Sequence, residues 1–92
     1  MPTHQVMLSD DRKLVYVMQP LPGVSKDDLR VEIHNKGMCL DFAPQKKNPV
    51  HKCFPLTYTI DADTAKAEFK DGVLTVSAKL KDTGGGKELS ID

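Results

Sequence analysis

The sequence predicts an all-β domain: a sandwich of about seven antiparallel strands with no substantial helix. Three observations predict it. Apolar residues recur at every second position through most of the chain. Turn-forming residues punctuate it at roughly 8–12-residue intervals. No segment sustains the 3.6-residue period of an amphipathic helix.

In chain order, a short strand is expected around residues 5–8, and Asp10-Asp11-Arg12 turns it back. Leu14-Val15-Tyr16-Val17-Met18 is apolar on both faces, which predicts a central strand. Pro20-Leu21-Pro22-Gly23-Val24 is expected to end strand pairing outright, because each proline lacks a donor. Ser25-Lys26-Asp27-Asp28 reads as a single helical turn with Ser25 as its N-cap. Leu29, Val31 and Ile33 alternate with Arg30, Glu32 and His34, giving a half-buried strand. Asn35-Lys36-Gly37 suits a three-residue hairpin loop with Gly37 in the left-handed region.

Met38, Leu40 and Phe42 alternate with Cys39 and Asp41, and residues 43–52 then form a polar loop with two prolines. Phe54, Leu56, Tyr58 and Ile60 read as one strand, and Ala65, Ala67 and Phe69 as the next. Asp71-Gly72 is a strong hairpin signal, since a type I′ turn needs positive φ at both central residues. Leu74, Val76 and Ala78 mark the last strand. Residues 1–81 therefore form the domain, and residues 82–92 a glycine-rich linker with a short tail. Leu89 and Ile91, two apart, face the same way when extended. Such a pair can join a sheet edge or groove, finish the domain's own last strand, or fray, and spacing alone does not choose.

Charge and length narrow the function. Among 92 residues, 13 Lys+Arg balance 13 Asp+Glu for a formal net charge of +0. A dedicated nucleic-acid binder would carry a basic excess, so none is expected. Neutrality also leaves association unopposed by self-repulsion. A chain this short buries roughly 60–65% of its unfolded surface and is marginal alone, so oligomerisation is expected. The longest apolar run, residues 14–18, is far short of the ~20 residues of a membrane span. The first residues show no basic-then-apolar export pattern, which with two cysteines predicts a cytoplasmic protein.

Cys39 and Cys53 are not in a C-x-x-C, and His51 is the one ligand nearby, so two reduced thiols are expected, with no metal and no cofactor. Asp61 and Asp63 could pair as carboxylates and His4, His34 and His51 could act as bases. No nucleophile is expected beside a histidine, however, and Gly84-Gly85-Gly86 has no helix after it to hold a phosphate. The sequence therefore reads as non-enzymatic.

Four blocks resemble the alpha-crystallin domain of small heat-shock proteins. Leu21-Pro22-Gly23-Val24, with the acidic turn and strand to Ile33, resembles the family's L-P-G-V signature. Phe54-Pro55-Leu56-Thr57 through Ile60-Asp61-Ala62-Asp63 resembles its F-x-L-P…V-D-x-D stretch. Ala67-Glu68-Phe69-Lys70-Asp71-Gly72-Val73-Leu74 reproduces the hallmark A-x-x-x-n-G-V-L, in which Ala67, Gly72, Val73 and Leu74 carry the motif. Leu89-Ser90-Ile91 resembles the C-terminal I/L-x-I motif.

The resemblance implies an immunoglobulin-like sandwich that self-associates and acts in the stress response. It would be an ATP-independent holdase, binding partly unfolded clients and limiting their aggregation. It also implies a groove for the tail motif between two strand edges, here Leu29, Val31 and Ile33 with Ala67 and Phe69, and a plug formed by Leu89 and Ile91. Those groove residues could equally be ordinary core.

Three departures bear on assembly. The loop 43–52 is too short to carry the strand that many relatives swap into a partner. The expected alternatives are an edge-to-edge dimer through a strand near residues 50–60, or a monomer. Lys52 stands where the family often has an arginine two residues before Phe54, which makes these two the candidate dimer-interface residues. Lysine makes no bidentate fork, so an ion pair there would be weaker. Only residues 1–13 precede the central strand, where the family has a long arm, so small oligomers and weaker holdase activity are expected. The competing reading is a CS-domain-type co-chaperone adaptor that binds a folded chaperone; Lys46-Lys47 could be its docking patch or simply a solvated charge pair.

Overall fold

The computed structural model describes residues 3–81 and 89–92. Its seven strands are β1 (Gln5–Leu8), β2 (Leu14–Pro20), β3 (Leu29–His34), β4 (Gly37–Phe42), β5 (Val50–Pro55), β6 (Ile60–Lys70) and β7 (Val73–Leu80). They form two antiparallel sheets, one in the order β1-β2-β7-β6 and the other β3-β4-β5. Among the described residues the helical segments are single 3-10 turns at Lys26–Asp28 and Pro44–Lys46.

The core is what alternation dictates. Val15, Val17 and Leu21 from β2 and the turn after it meet Leu74, Val76 and Ala78 from β7. Met38, Leu40, Phe42 and Phe54 close it from the other sheet, with Leu56 and Ile60 at its end. The strand at residues 14–18 is central as expected, hydrogen-bonded to β1 and β7. Gln19 is the buried polar residue of this layer, and its side-chain amide donates to the Pro20 carbonyl at 2.9 Å.

The turns follow local chemistry. Asp71 (φ 52°) and Gly72 (φ 76°) make the expected hairpin between Lys70 and Val73. In the 21–24 turn, Gly23 has φ 79° and Val24 N–H donates to the Leu21 carbonyl at 3.2 Å, so Pro22 and Gly23 occupy the positions a type II turn favours. At the first turn, Asp11 accepts from the Ser9 hydroxyl at 2.6 Å and from Lys13 N–H at 3.0 Å. These bonds, led by Ser9, hold the Asp11 carboxyl below its ordinary range.

Several expectations are corrected. Gly37 does not take positive φ: it opens β4 opposite Pro55, with His34 across from it on β3, so the loop is Asn35-Lys36 alone. A Cβ at Gly37 would lie 3.2 Å from the Phe54 carbonyl, so close backbone approach is what selects glycine there. Strand pairing persists through Pro20, opposite Val73, because the proline at the end of β2 gives up one donor while Leu21 N–H still reaches the Gly72 carbonyl at 2.7 Å. Ser25 makes no side-chain cap; the Asp28 amide bonds the Ser25 carbonyl instead, at 2.9 Å.

The 54–60 alternation is real in burial but is not one strand. β5 ends at Pro55, and the chain crosses between sheets there, with Leu56 and Ile60 N–H groups bonding the Lys36 and Asn35 carbonyls at 2.9 and 2.8 Å. The polar loop is shorter than 43–52, because Val50, His51 and Lys52 already pair with β4. β6 carries a register shift between Asp61 and Lys66. There the Thr64 hydroxyl donates to the Asp61 carbonyl at 2.7 Å and accepts from Lys79 N–H at 2.9 Å. Asp61 accepts from the Asp63 amide at 3.1 Å, so its carboxylate braces the bulge rather than pairing with a second acid.

Candidate functional site

Among the described residues the sheets hold four and three strands, and each has two edge strands with no neighbour beyond them in its own sheet. β3 and β6 are one such pair, and they pack against each other. Leu29, Val31 and Ile33 point inward opposite Phe42, Leu40 and Met38, yet stay half-buried because β3 is an edge. On β6, Phe69 is half-buried and Ala67 exposed. Leu29, Val31, Ile33 and Phe69 thus pack against the core from two neighbouring strand edges, while Ala67 lies outside that cluster.

The hallmark motif divides between turn and core. Gly72 supplies the turn, Leu74 is buried beneath it, and Val73 pairs with both Lys70 and Pro20. Leu89 and Ile91 are 73% and 97% exposed, and β7 ends at Leu80, so neither finishes the last strand. The glycine-rich linker expected at 82–86 lies outside the described residues.

The other pair of edges is β1 and β5, and the ring of His4, just before β1, stacks on Phe54 with centroids 3.9 Å apart. Phe54, with Lys52 a candidate dimer-interface residue, is 8% exposed and belongs to the chain's own core. The Lys52 ammonium sits 5.6 Å from the same ring. Burial, and secondarily Lys52, lowers the His4 pKa below 6.5. A histidine that the fold holds neutral contributes stability fully present above about 6.5, which fades as pH falls through the lowered native value. Unfolding curves at pH 7.5 and 5.0 should therefore show a larger acid loss for the native chain than for His4→Phe; equal losses would contradict the stacking role.

The loop between β4 and β5 folds onto its own domain. Gln45 N–H donates to the Gly23 carbonyl at 2.8 Å, and the Lys46 ammonium pairs with Asp28 at 3.0 Å. Lys46 is thereby engaged by its own chain, which weakens the docking-patch reading of Lys46-Lys47.

The cysteines overturn a prediction. Cys39 and Cys53 stand directly opposite each other on β4 and β5 and form a disulfide, where two reduced thiols were expected. Their Cα atoms are 4.0 Å apart, the close class of antiparallel pair. His51, the one ligand the sequence places near the cysteines, lies beside them: His51 Nε2 is 3.3 Å from Cys53 Sγ, and His51 Nδ1 is 2.5 Å from Asp41 Oδ1. Parity could have warned of this, since both cysteines alternate with inward residues and share the outer face; the register between the strands was not readable.

No protein-family model and no curated protein matches the sequence. Solved structures do match. Heat shock protein 16.0 from Schizosaccharomyces pombe superposes with a TM-score of 0.70 at 24% identity, over 99% of this chain and 82% of its own. HSP18.5 from E. histolytica gives 0.71 at 14% identity, over 98% and 97%. A small heat-shock protein from Xylella fastidiosa gives 0.63 at 15%, over 98% and 96%. The chain has the small heat-shock protein fold. In this alpha-crystallin-type sandwich the β3 and β6 edges are the pair that the resemblance marked for the tail groove, and β5 keeps an edge without a strand beside it.

Proposed function

We propose that the chain is an ATP-independent holdase of the small heat-shock protein type, whose β3 and β6 edges take up extended apolar segments of unfolding clients. The observation that carries this reading is the pairing of two strand edges over half-buried Leu29, Val31, Ile33 and Phe69 with a tail whose Leu89 and Ile91 are exposed. The tail is the resident occupant: Leu89 and Ile91 of one copy plug the groove of another and compete with clients. The distinct high order structure named for the Xylella relative supports self-association. The free β5 edge, next to a loop folded back on its own domain, favours an edge-to-edge dimer over a swapped strand. Activity is non-enzymatic and cytoplasmic.

The test pairs assembly with client protection. Leu89→Gly with Ile91→Gly leaves the fold intact, because both side chains are exposed. By light scattering its mass should fall, and β3 and β6 amides should exchange faster. At equimolar ratio and without ATP, the native chain should keep a heat-unfolding client soluble. Unchanged mass and exchange would remove the plug. Failure to protect clients, with binding to a folded chaperone instead, would favour the adaptor reading.

A further inference from the structure

The outer face of the three-stranded sheet carries two cross-strand pairs in succession, Cys39 opposite Cys53 and Asp41 opposite His51. Antiparallel pairs alternate between close and wide, so pairs two residues apart belong to the same class. Both are therefore close pairs, and the donor atoms of Cys39, His51 and Cys53 lie within 4.8 Å of one another. The His51 ring is already oriented. The His51 Nδ1–H donates to Asp41 Oδ1, which leaves the Nε2 lone pair facing Cys53 Sγ at 3.3 Å. A carboxylate behind an imidazole whose far nitrogen points at two sulfurs is the outer-shell arrangement of histidine metal ligands. Sulfurs ~2.3 Å and a nitrogen ~2.0–2.1 Å from a tetrahedral centre stand about 3.5–3.8 Å from one another. That spacing falls within the 4.8 Å that already separates the three donors at most.

We propose that Cys39, Cys53 and His51 form a redox-gated site for one soft tetrahedral cation, Zn²⁺ by its preference for thiolate and imidazole, with Asp41 as the positioning residue. In the oxidised chain the sulfurs are bonded to each other and the site is closed. A small-molecule thiol RSH opens it. Two RSH give two electrons and two protons to the disulfide, leaving RSSR and two protein thiols, and Zn²⁺ then binds the two thiolates as two protons depart. An oxidising small-molecule disulfide or a peroxide reverses the sequence and expels the ion. Water fills the fourth position. Cys53 and His51 are exposed on an edge strand, so thiol, oxidant and ion all have access.

The whole chain, reduced with a phosphine and handled without oxygen, should be titrated with Zn²⁺ by calorimetry and with Co²⁺ by absorption. The reduced chain should take up one equivalent, and Co²⁺ should show thiolate charge-transfer and tetrahedral d–d bands; the oxidised chain should show neither. Asp41→Asn should weaken Zn²⁺ binding about 10–100-fold while keeping the thiolate band. His51→Ala should weaken it further and shift the d–d spectrum. Both side chains are exposed, so a circular dichroism spectrum unlike the native one is not expected, and Cys39→Ser should abolish the charge-transfer band in a folded chain. Equal affinity of oxidised and reduced chains, an octahedral Co²⁺ spectrum, or one ion shared between two chains would each overturn the proposal.

Discussion

Replacing Leu40 by alanine should destabilise the fold by about 3 kcal/mol, within the range of buried Leu→Ala substitutions. Leu40 is 0% exposed at the centre of β4, between Val31 on β3 and Lys52 on β5. Its neighbours on both sides are tied into a sheet and cannot collapse far into the space left behind, so the cavity term adds to the lost transfer energy. A chain of 92 residues has a total stability of roughly 5–14 kcal/mol. The loss should lower Tm by roughly 12–24 °C, seen by circular dichroism at neutral pH. The same sheet carries β3, so under the proposed holdase reading the variant should also lose client protection at temperatures where the native chain keeps it. A Tm shift of only a degree or two would mean that Leu40 is not the centre of this core.

Most of the sandwich was legible because it rests on local rules. Alternation placed Leu40, Leu74 and Val76 inside, the doubly apolar run at 14–18 marked a central strand, and Asp71-Gly72 fixed a hairpin by backbone preference alone. What failed was non-local. Leu56 and Tyr58 keep the strand period while their backbone leaves one sheet for the other, and only the Asn35 and Lys36 carbonyls waiting for Ile60 and Leu56 reveal the crossing. Gly37 read as a turn residue because glycine suits turns, but the Phe54 carbonyl selects it. The proposed groove was named by the resemblance and not by pattern, since its residues alternate like any core. The thiol cluster was not, because a cross-strand pair depends on register, and register emerges only when β4 and β5 meet.

Reduction of the Cys39–Cys53 bond should cost the chain a comparable amount. The bridge spans a sequence separation of 14, and closing a loop of that order in the unfolded state is worth about 3 kcal/mol in the chain-entropy model. The reduced, metal-free chain should therefore melt roughly 12–24 °C below the oxidised one. A Cys39→Ala, Cys53→Ala variant should melt low with or without reductant, which separates the bond from any other effect of the reducing agent. Zn²⁺ should then act on the reduced native chain and leave the double variant unmoved. At a free concentration one hundred times its Kd, an ion that binds only the folded state returns about 2.7 kcal/mol, nearly what the lost bridge supplied. Bridge and ion would thus be alternative clasps on one pair of strands, with the metal-free dithiol as the weak state between them. Leu40 lies next to Cys39 on β4, so its substitution and the reduction should not add independently. The doubly weakened chain should therefore melt lowest of the set, and Zn²⁺ should restore only the part of the loss that the bridge supplied. Identical melting of oxidised and reduced chains would show that the bridge closes no loop that the unfolded state would otherwise leave open.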